Sequence, residues 1–199
     1  MDPFWLTTKT GERFLVRYAR PEDLEGLLAM ITELAEERSY ILVDKPPTLE
    51  EERVWLERGI KNVKDGKIIH WVVEKDGKLV GGLDASRRPL KMSHVVEIGI
   101  ALLKEARRKG LGEQLLRTMI DAILKKWTDP IIISISVFSL NERARALYKK
   151  LGFVEVARFP FFIDHFGEHC DLIMMYWKGS PLLKKLGAEM EKAERRDDD

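Results

Sequence analysis

The stretch from Val95 to Trp127 constrains the fold of this 199-residue chain more than any other part of it. It reads Val-Val-Glu-Ile-Gly-Ile-Ala-Leu-Leu, then Lys-Glu-Ala-Arg-Arg-Lys-Gly-Leu-Gly, then an amphipathic run from Glu113 onwards. These features predict a buried strand, a short basic turn, and a helix whose apolar side is Leu111, Leu115, Met119, Ala122 and Ile123. The first N–H groups of such a helix have no carbonyl partner within it. Arg107, Arg108 and Lys109 add positive charge at that end, and Gly110 and Gly112 remove the Cβ atoms that would keep an anion from the backbone amides. The ligand expected there is a phosphate or pyrophosphate, with an ordinary structural loop as the alternative. The spacing fits neither a Walker loop nor a Gly-x-Gly-x-x-Gly dinucleotide turn.

Inside the strand, Val96, Ile98, Ile100 and Leu102 share one face, and Glu97, Gly99 and Ala101 share the other. A carboxylate in mid-strand needs a partner or water, because burying it unpaired costs several kcal/mol or raises its pKa. Glu97 is therefore expected to face an open cleft, with Gly99 and Ala101 leaving room for a ligand along the strand.

The rest of the chain reads as one domain. Phe4–Thr7 and Phe14–Tyr18 flank Lys9-Thr10-Gly11-Glu12 as a hairpin, and Pro21-Glu22-Asp23 opens a helix with Leu24, Leu27, Leu28, Ile31, Leu34 and Ala35 on one side. Thr48-x-x-Glu51 is a capping box for a second helix reaching about Lys64. Ile68–Glu74 and Leu79–Arg87 form a second hairpin around Asp76-Gly77, and His70 within it is read as a core or cleft histidine. Ile131–Phe138 is a β-branched strand, Asn141 stands at an N-cap, and Gly152 ends the helix that follows. Two more strands are expected at Phe153–Ala157 and His169–Trp177. Ser180–Asp199 reads as a charged surface helix.

Composition narrows the function classes. With 34 basic and 33 acidic residues the formal net charge is +1, so no overall field favours nucleic acid or an anionic membrane. Arg107-Arg108-Lys109 and Arg143/Arg145 lack the aromatic interleaving of a nucleic-acid surface. No apolar run approaches the length of a membrane span, and the N-terminus lacks a signal-peptide layout, so a cytoplasmic protein is expected. The single cysteine, Cys170, gives neither an intrachain disulfide nor a metal cluster. High charge with one Gln and two Asn is a thermophile-like composition.

The pattern Arg107-x-x-Gly110-x-Gly112 directly after Ile98-Gly-Ile-Ala-Leu102, with Asn141-Glu-Arg-Ala144-Arg-Ala-Leu147-Tyr148-Lys-Lys-Leu-Gly152-Phe153 downstream, resembles the GCN5-related N-acetyltransferases, the GNAT family. Gly167-Glu-His-Cys-Asp171-x-x-x-Met175 is similar to the RimJ/RimL or phosphinothricin-acetyltransferase-like branch. The resemblance implies an α/β (α+β) GNAT fold, with a mixed, mostly antiparallel sheet of about seven strands flanked by helices. It places the acetyltransferase domain at 1–178 and a charged helical tail at 179–199. Leu103-Lys104 stands where the family often has His-Pro, a departure that leaves the phosphate turn intact.

The same resemblance implies acetyl-CoA as cosubstrate, no metal, and an amine acceptor, with a homodimer as a further expectation. Arg107, Arg108, Lys109, Gly110, Leu111 and Gly112 would hold the pyrophosphate, Asn141 would contact CoA or serve as a cap, and backbone groups at Ile100, Ala101 and Leu102 would hold the thioester and pantetheine arm. An amine is mostly protonated at neutral pH, so a base or water chain must act before attack. Glu97 is the candidate base, with a structural or substrate-anchoring role as the alternative, and Tyr148 occupies the position of the acid that protonates the leaving thiolate. The loop at Tyr40 and Asp44 is either acceptor-facing or simply solvated. The acceptor is expected to be a small amine or amino-acid-like metabolite; a protein N-terminus or lysine is the alternative within enzymes, and an acyl-CoA sensor without transfer is the alternative outside them.

Overall fold

The computed structural model describes residues 2–129 and 131–185, and its elements begin where the sequence signals begin. Phe4–Thr7 (β1) and Arg13–Tyr18 (β2) form the first hairpin. A short turn of 3-10 helix at Pro21–Asp23 leads into Leu24–Glu36 (α1). Asp23 is fixed by the buried Arg17 guanidinium, which donates to both of its oxygens at 2.7 and 2.8 Å and also reaches Glu74. Leu49–Lys64 (α2) starts at the expected capping box: Thr48 accepts from the Glu51 N–H, and the Glu51 carboxylate accepts from the Thr48 N–H. Ile68–Lys75 (β3) and Lys78–Arg87 (β4) form the second hairpin, with Asp76 and Gly77 both at positive φ. Val95–Leu102 (β5), Leu111–Lys126 (α3) and Ile132–Phe138 (β6) follow in order. Asn141 accepts from the Ala144 N–H at the start of Glu142–Lys150 (α4).

The sheet has eight strands rather than about seven, in the order β1-β2-β3-β4-β5-β6-β8-β7, where Phe153–His165 is β7 and Glu168–Trp177 is β8. All neighbours are antiparallel except β5 and β6, the pair joined through α3. The eighth strand is β1, the first run of the N-terminal hairpin. The last hairpin is also longer than its sequence suggests, because Pro160 reads as a strand break. β7 is an edge strand, and Pro160 falls in the irregular stretch between Phe159 and Ile163 where no pairing hydrogen bond is needed.

Helices cover both faces of this sheet. Leu24, Leu27, Met30 and Leu34 of α1 and Leu56 of α2 form one core cluster. Leu111, Leu115, Leu116, Met119, Ile120 and Ile123 of α3 join Tyr148 and Leu151 at α4 in the other, larger one. After β8 the chain docks onto β6: buried Ser180 accepts from the Ile133 N–H at 2.9 Å, and Leu182 N–H donates to Ile131. Residues 181–185 form a helical turn held to the sheet in this way, and the remainder of the expected tail helix, 186–199, lies outside the described residues. No described helix is long and apolar enough to cross a membrane.

Candidate active site

The site begins where two parallel strands part. β5 and β6 pair only from Val95↔Ile132 to Ile98↔Ile135; beyond that, Gly99–Leu102 pair with β4 alone and Ser136–Phe138 with β8 alone. The His94 carbonyl accepts from Ile132 N–H at 2.8 Å, while Leu103 N–H donates to Val80 of β4 at 2.8 Å. Backbone direction alternates along a strand, so the even-numbered residues of β5 turn their N–H and C=O groups toward β6. The N–H groups of Ile100 and Leu102 therefore face the opening. The Leu102 carbonyl on that side is taken by Arg107 Nε at 2.7 Å.

A cleft of about 620 Å³ occupies the opening. Leu34, Ile41 and Ala101 line it from the α1–α2 side, and Leu102, Leu147 and Tyr148 from the α3–α4 side, so it runs through the parted strands from one face of the sheet to the other. Across the opening the loop after α1 meets the last hairpin: Tyr40 packs on His165 at 4.9 Å and edge-on to Phe138 at 6.2 Å. Tyr40 thus lines the cleft, whereas Asp44 is exposed and away from it.

At the α3 end, Gly110 has φ +79° and Arg108 φ +64°, so the turn uses two left-handed residues to deliver the chain to the helix. Ile100, Ala101, Leu102, Arg107, Arg108, Gly110, Gly112 and Asn141 all line the cleft. A Cβ on Gly112 would lie 3.5 Å from Leu147 and 3.7 Å from Leu102, in ordinary contact with both, so a methyl fits here. Leu111 packs its side chain in the core and faces the turn only through its backbone N–H.

The charges of the turn are arranged differently from their expected common role on phosphate. Arg107 spends its guanidinium on Glu37, at 2.8 Å to each oxygen, on Ser39 and on the Leu102 carbonyl, and so braces the α1 loop against β5. Lys109 turns away to Glu12 at 2.6 Å, where Lys75 also binds; these two ammonium groups, Lys109 foremost, hold the Glu12 carboxyl down to about 2. Among the described residues, Arg38, Arg108 and Arg143 are the cleft-lining cations with no carboxylate partner. A second depression, about 370 Å³, shares Arg108, Gly110 and Glu113 with the cleft and adds Lys9, Lys109, Arg117 and Lys150; Lys109 is paired with Glu12, and Arg117 and Lys150 are paired with Glu113.

Tyr148 has its ring in the core and lines the cleft. Its hydroxyl has no hydrogen-bond partner among the described residues, and burial pushes its pKa well above the ordinary tyrosine value, so it is a protonated donor at any physiological pH. Glu97 projects from the α1–α2 face of β5, outside the cleft lining; its oxygens accept from Arg88 at 2.8 Å and Ser136 at 3.2 Å. Gly99 does not leave empty room beside it: an added Cβ would lie 2.6 Å from Asp84 Oδ1, so the space belongs to the Asp84 carboxylate. Burial, with a smaller contribution from the Glu97 charge, raises Asp84 to about 6. Sequence reasoning passed over Asp84, Ser136 and Arg88. The signal for Asp84 within the sequence was only that of a carboxylate inside the apolar strand β4; its register opposite Gly99 belongs to the folded sheet. His70, opposite Asp84 on β3, is buried beneath Trp55 and Gly59, and desolvation lowers it to about 4, so it stays neutral.

Residues 28–153 match the Acetyltransferase (GNAT) family. The chain belongs to that family, and it is an acetyl-CoA-dependent N-acetyltransferase. It is 29% identical over 146 residues to the L-amino acid N-acetyltransferase AaaT of Escherichia coli, covering 70% of this chain and 82% of the relative. It is 28% identical over 159 residues to an N-alpha-acetyltransferase of Sulfurisphaera tokodaii, covering 74% and 84%. Among solved structures, the ribosomal-protein-alanine N-acetyltransferase of Brucella melitensis superimposes with a TM-score of 0.70 at 26% identity, over 81% of this chain and 97% of that one.

Proposed function

We propose that this enzyme acetylates the α-amine of a free amino acid or a close analogue, by direct attack on acetyl-CoA in a ternary complex. The observation that carries the acceptor class is the Arg88–Glu97 pair at 2.8 Å on the acceptor face of β5. A zwitterionic α-amino acid bears its ammonium and carboxylate on one carbon, and an adjacent carboxylate and guanidinium offer each charge a partner. The likeness to an L-amino acid N-acetyltransferase supports the same reading.

In this account the pyrophosphate lies at the N–H groups that open α3, with Arg108 and Arg143 beside it and Asn141 at the neighbouring helix start. The pantetheine arm takes the place of β6 against Gly99–Leu102, and the thioester oxygen accepts from the freed N–H of Ile100 or Leu102, which stabilises the oxyanion as it forms. Glu97 holds the acceptor ammonium. The amine nitrogen forms its bond to the acetyl carbon, the C–S bond breaks, and Tyr148 gives its proton to the departing thiolate.

A protein N-terminus is the second reading, favoured by the likeness to an N-alpha-acetyltransferase. The two part on the acceptor carboxylate, which a free amino acid has beside its amine and a peptide does not. Release of CoA thiol is measured with the common L-amino acids and, in parallel, with tripeptides bearing free N-termini. The proposal expects turnover of free amino acids, and a raised KM for them in R88A. Turnover confined to peptides, with R88A unaffected, would overturn it.

A further inference from the structure

Glu97 is fixed in place by Arg88 on one oxygen and Ser136 on the other, which leaves each oxygen one lone pair with which to accept from an ammonium. Asp84 is placed differently. It stands one strand over, opposite Gly99, and Oδ2 accepts only from Ser86 at 3.3 Å, while Oδ1 has no donor among the described residues. That free oxygen lies where a side chain of residue 99 would begin, 2.6 Å from the position of a Cβ. It therefore overhangs the β5 backbone immediately before Ile100, the residue whose N–H faces the thioester position. Glu97 lies on the same face, two residues back along β5. Both carboxylates stand just behind the cleft, whose lining on β5 begins at Ile100.

Resting on the acetyl-transfer reading above, we propose that Asp84 takes the proton from the acceptor ammonium and that Glu97 acts as the positioning residue that holds the ammonium beside it. The ammonium passes one proton to Asp84 Oδ1, which releases it to solvent. The nitrogen lone pair then attacks the acetyl carbon. A second proton, shed by nitrogen as the C–N bond forms, replaces the one Tyr148 gives to the thiolate, so one proton leaves per turnover. Burial raises Asp84 to about 6, nearer to an amine than an ordinary carboxyl is, which improves the transfer. The groups facing Asp84 are His70 of β3, neutral down to about 4, with the Arg17–Asp23 pair beyond it, and Glu97 of β5 with its Arg88 partner.

The test compares D84N, D84E and E97Q with the parent, on whichever of free L-amino acids or free-N-terminus peptides it acetylates. Loss of the acceptor class proposed above therefore does not decide this inference. For the parent, kcat/KM is expected to fall about tenfold per pH unit below about 6. D84N should lose about 100-fold in kcat or more and lose that limb, with acetyl-CoA affinity within twofold of the parent, and D84E should recover part of the rate. E97Q should keep the limb and raise the acceptor KM. A D84N enzyme with parental rate and pH profile, or an E97Q enzyme that loses the limb, would overturn the assignment. Should D84N fail to fold, carboxyl carbon NMR on the parent protein decides: titration of Asp84 near 6 supports the role, and a fully ionised Asp84 at pH 5 refutes it.

Discussion

The environment of Asp84 makes a quantitative demand on stability as well as on rate. Its carboxyl is moved from an ordinary 3.8 to about 6, chiefly by burial. A full shift of that size corresponds to about 3 kcal/mol, and since water reaches part of the side chain we expect about 2 kcal/mol. The native state binds this proton more tightly than the unfolded state does. The contribution is therefore fully present below 3.8, falls as pH rises, and is lost above about 6. The amide that D84N introduces has nothing to titrate, so D84N should gain on the parent by about 2 kcal/mol between pH 4 and pH 7. His70 works in the opposite sense, its contribution being present above 6.5 and lost as pH falls through about 4, but it does so in both proteins and drops out of the difference. Urea unfolding of both proteins at pH 4, 5, 6 and 7 measures it. A difference that stays flat with pH, or that grows toward acid, would refute the burial of an unpaired carboxylate at this position.

Three further outcomes follow from the same structure. Y148F should lower kcat by about 100-fold or more while leaving acetyl-CoA affinity, measured by calorimetry, within twofold, because its ring stays in the core and only the proton donor is lost; equal turnover would remove Tyr148 as the acid. G112A should fold and bind, since its Cβ meets only ordinary contacts at 3.5 and 3.7 Å, whereas G112F should cost at least about tenfold in acetyl-CoA affinity by filling the wall between Leu147 and Leu102; unchanged affinity would mean that the phosphate turn lies elsewhere. R17A should destabilise the protein by about 3–5 kcal/mol in urea unfolding, because it strands the buried Asp23 carboxylate; a loss below about 1 kcal/mol would show that water replaces the guanidinium.

Features set by local chemistry were legible before the structure. The Thr48/Glu51 capping box, the Asn141 cap and the Asp76-Gly77 turn each depend on residues within a few positions of one another, and each stands where the sequence puts it. So do the strand, turn and helix around Gly110, since that junction is one continuous segment. What was not legible depends on partners far along the chain. Arg107 and Lys109 look alike in the sequence, but Glu37 lies 70 residues from the first and Glu12 lies 97 from the second, and those partners decide that neither side chain is left free. Asp84 was missed because a carboxylate in a strand reveals its role only through the cross-strand register that sets it against Gly99. The long β7 was missed because Pro160 argues against a strand everywhere except at an irregular edge, and edge position is a property of the whole sheet.

Mass spectrometry of the products formed from acetyl-CoA and a mixture of free L-amino acids decides whether this enzyme acetylates the α-amine of a free amino acid. N-acetylated amino acids should form in amounts equal to the CoA thiol released, and both should fall about 100-fold or more in Y148F. Binding of acetyl-CoA with no acetyl group on any of the amino acids would contradict it.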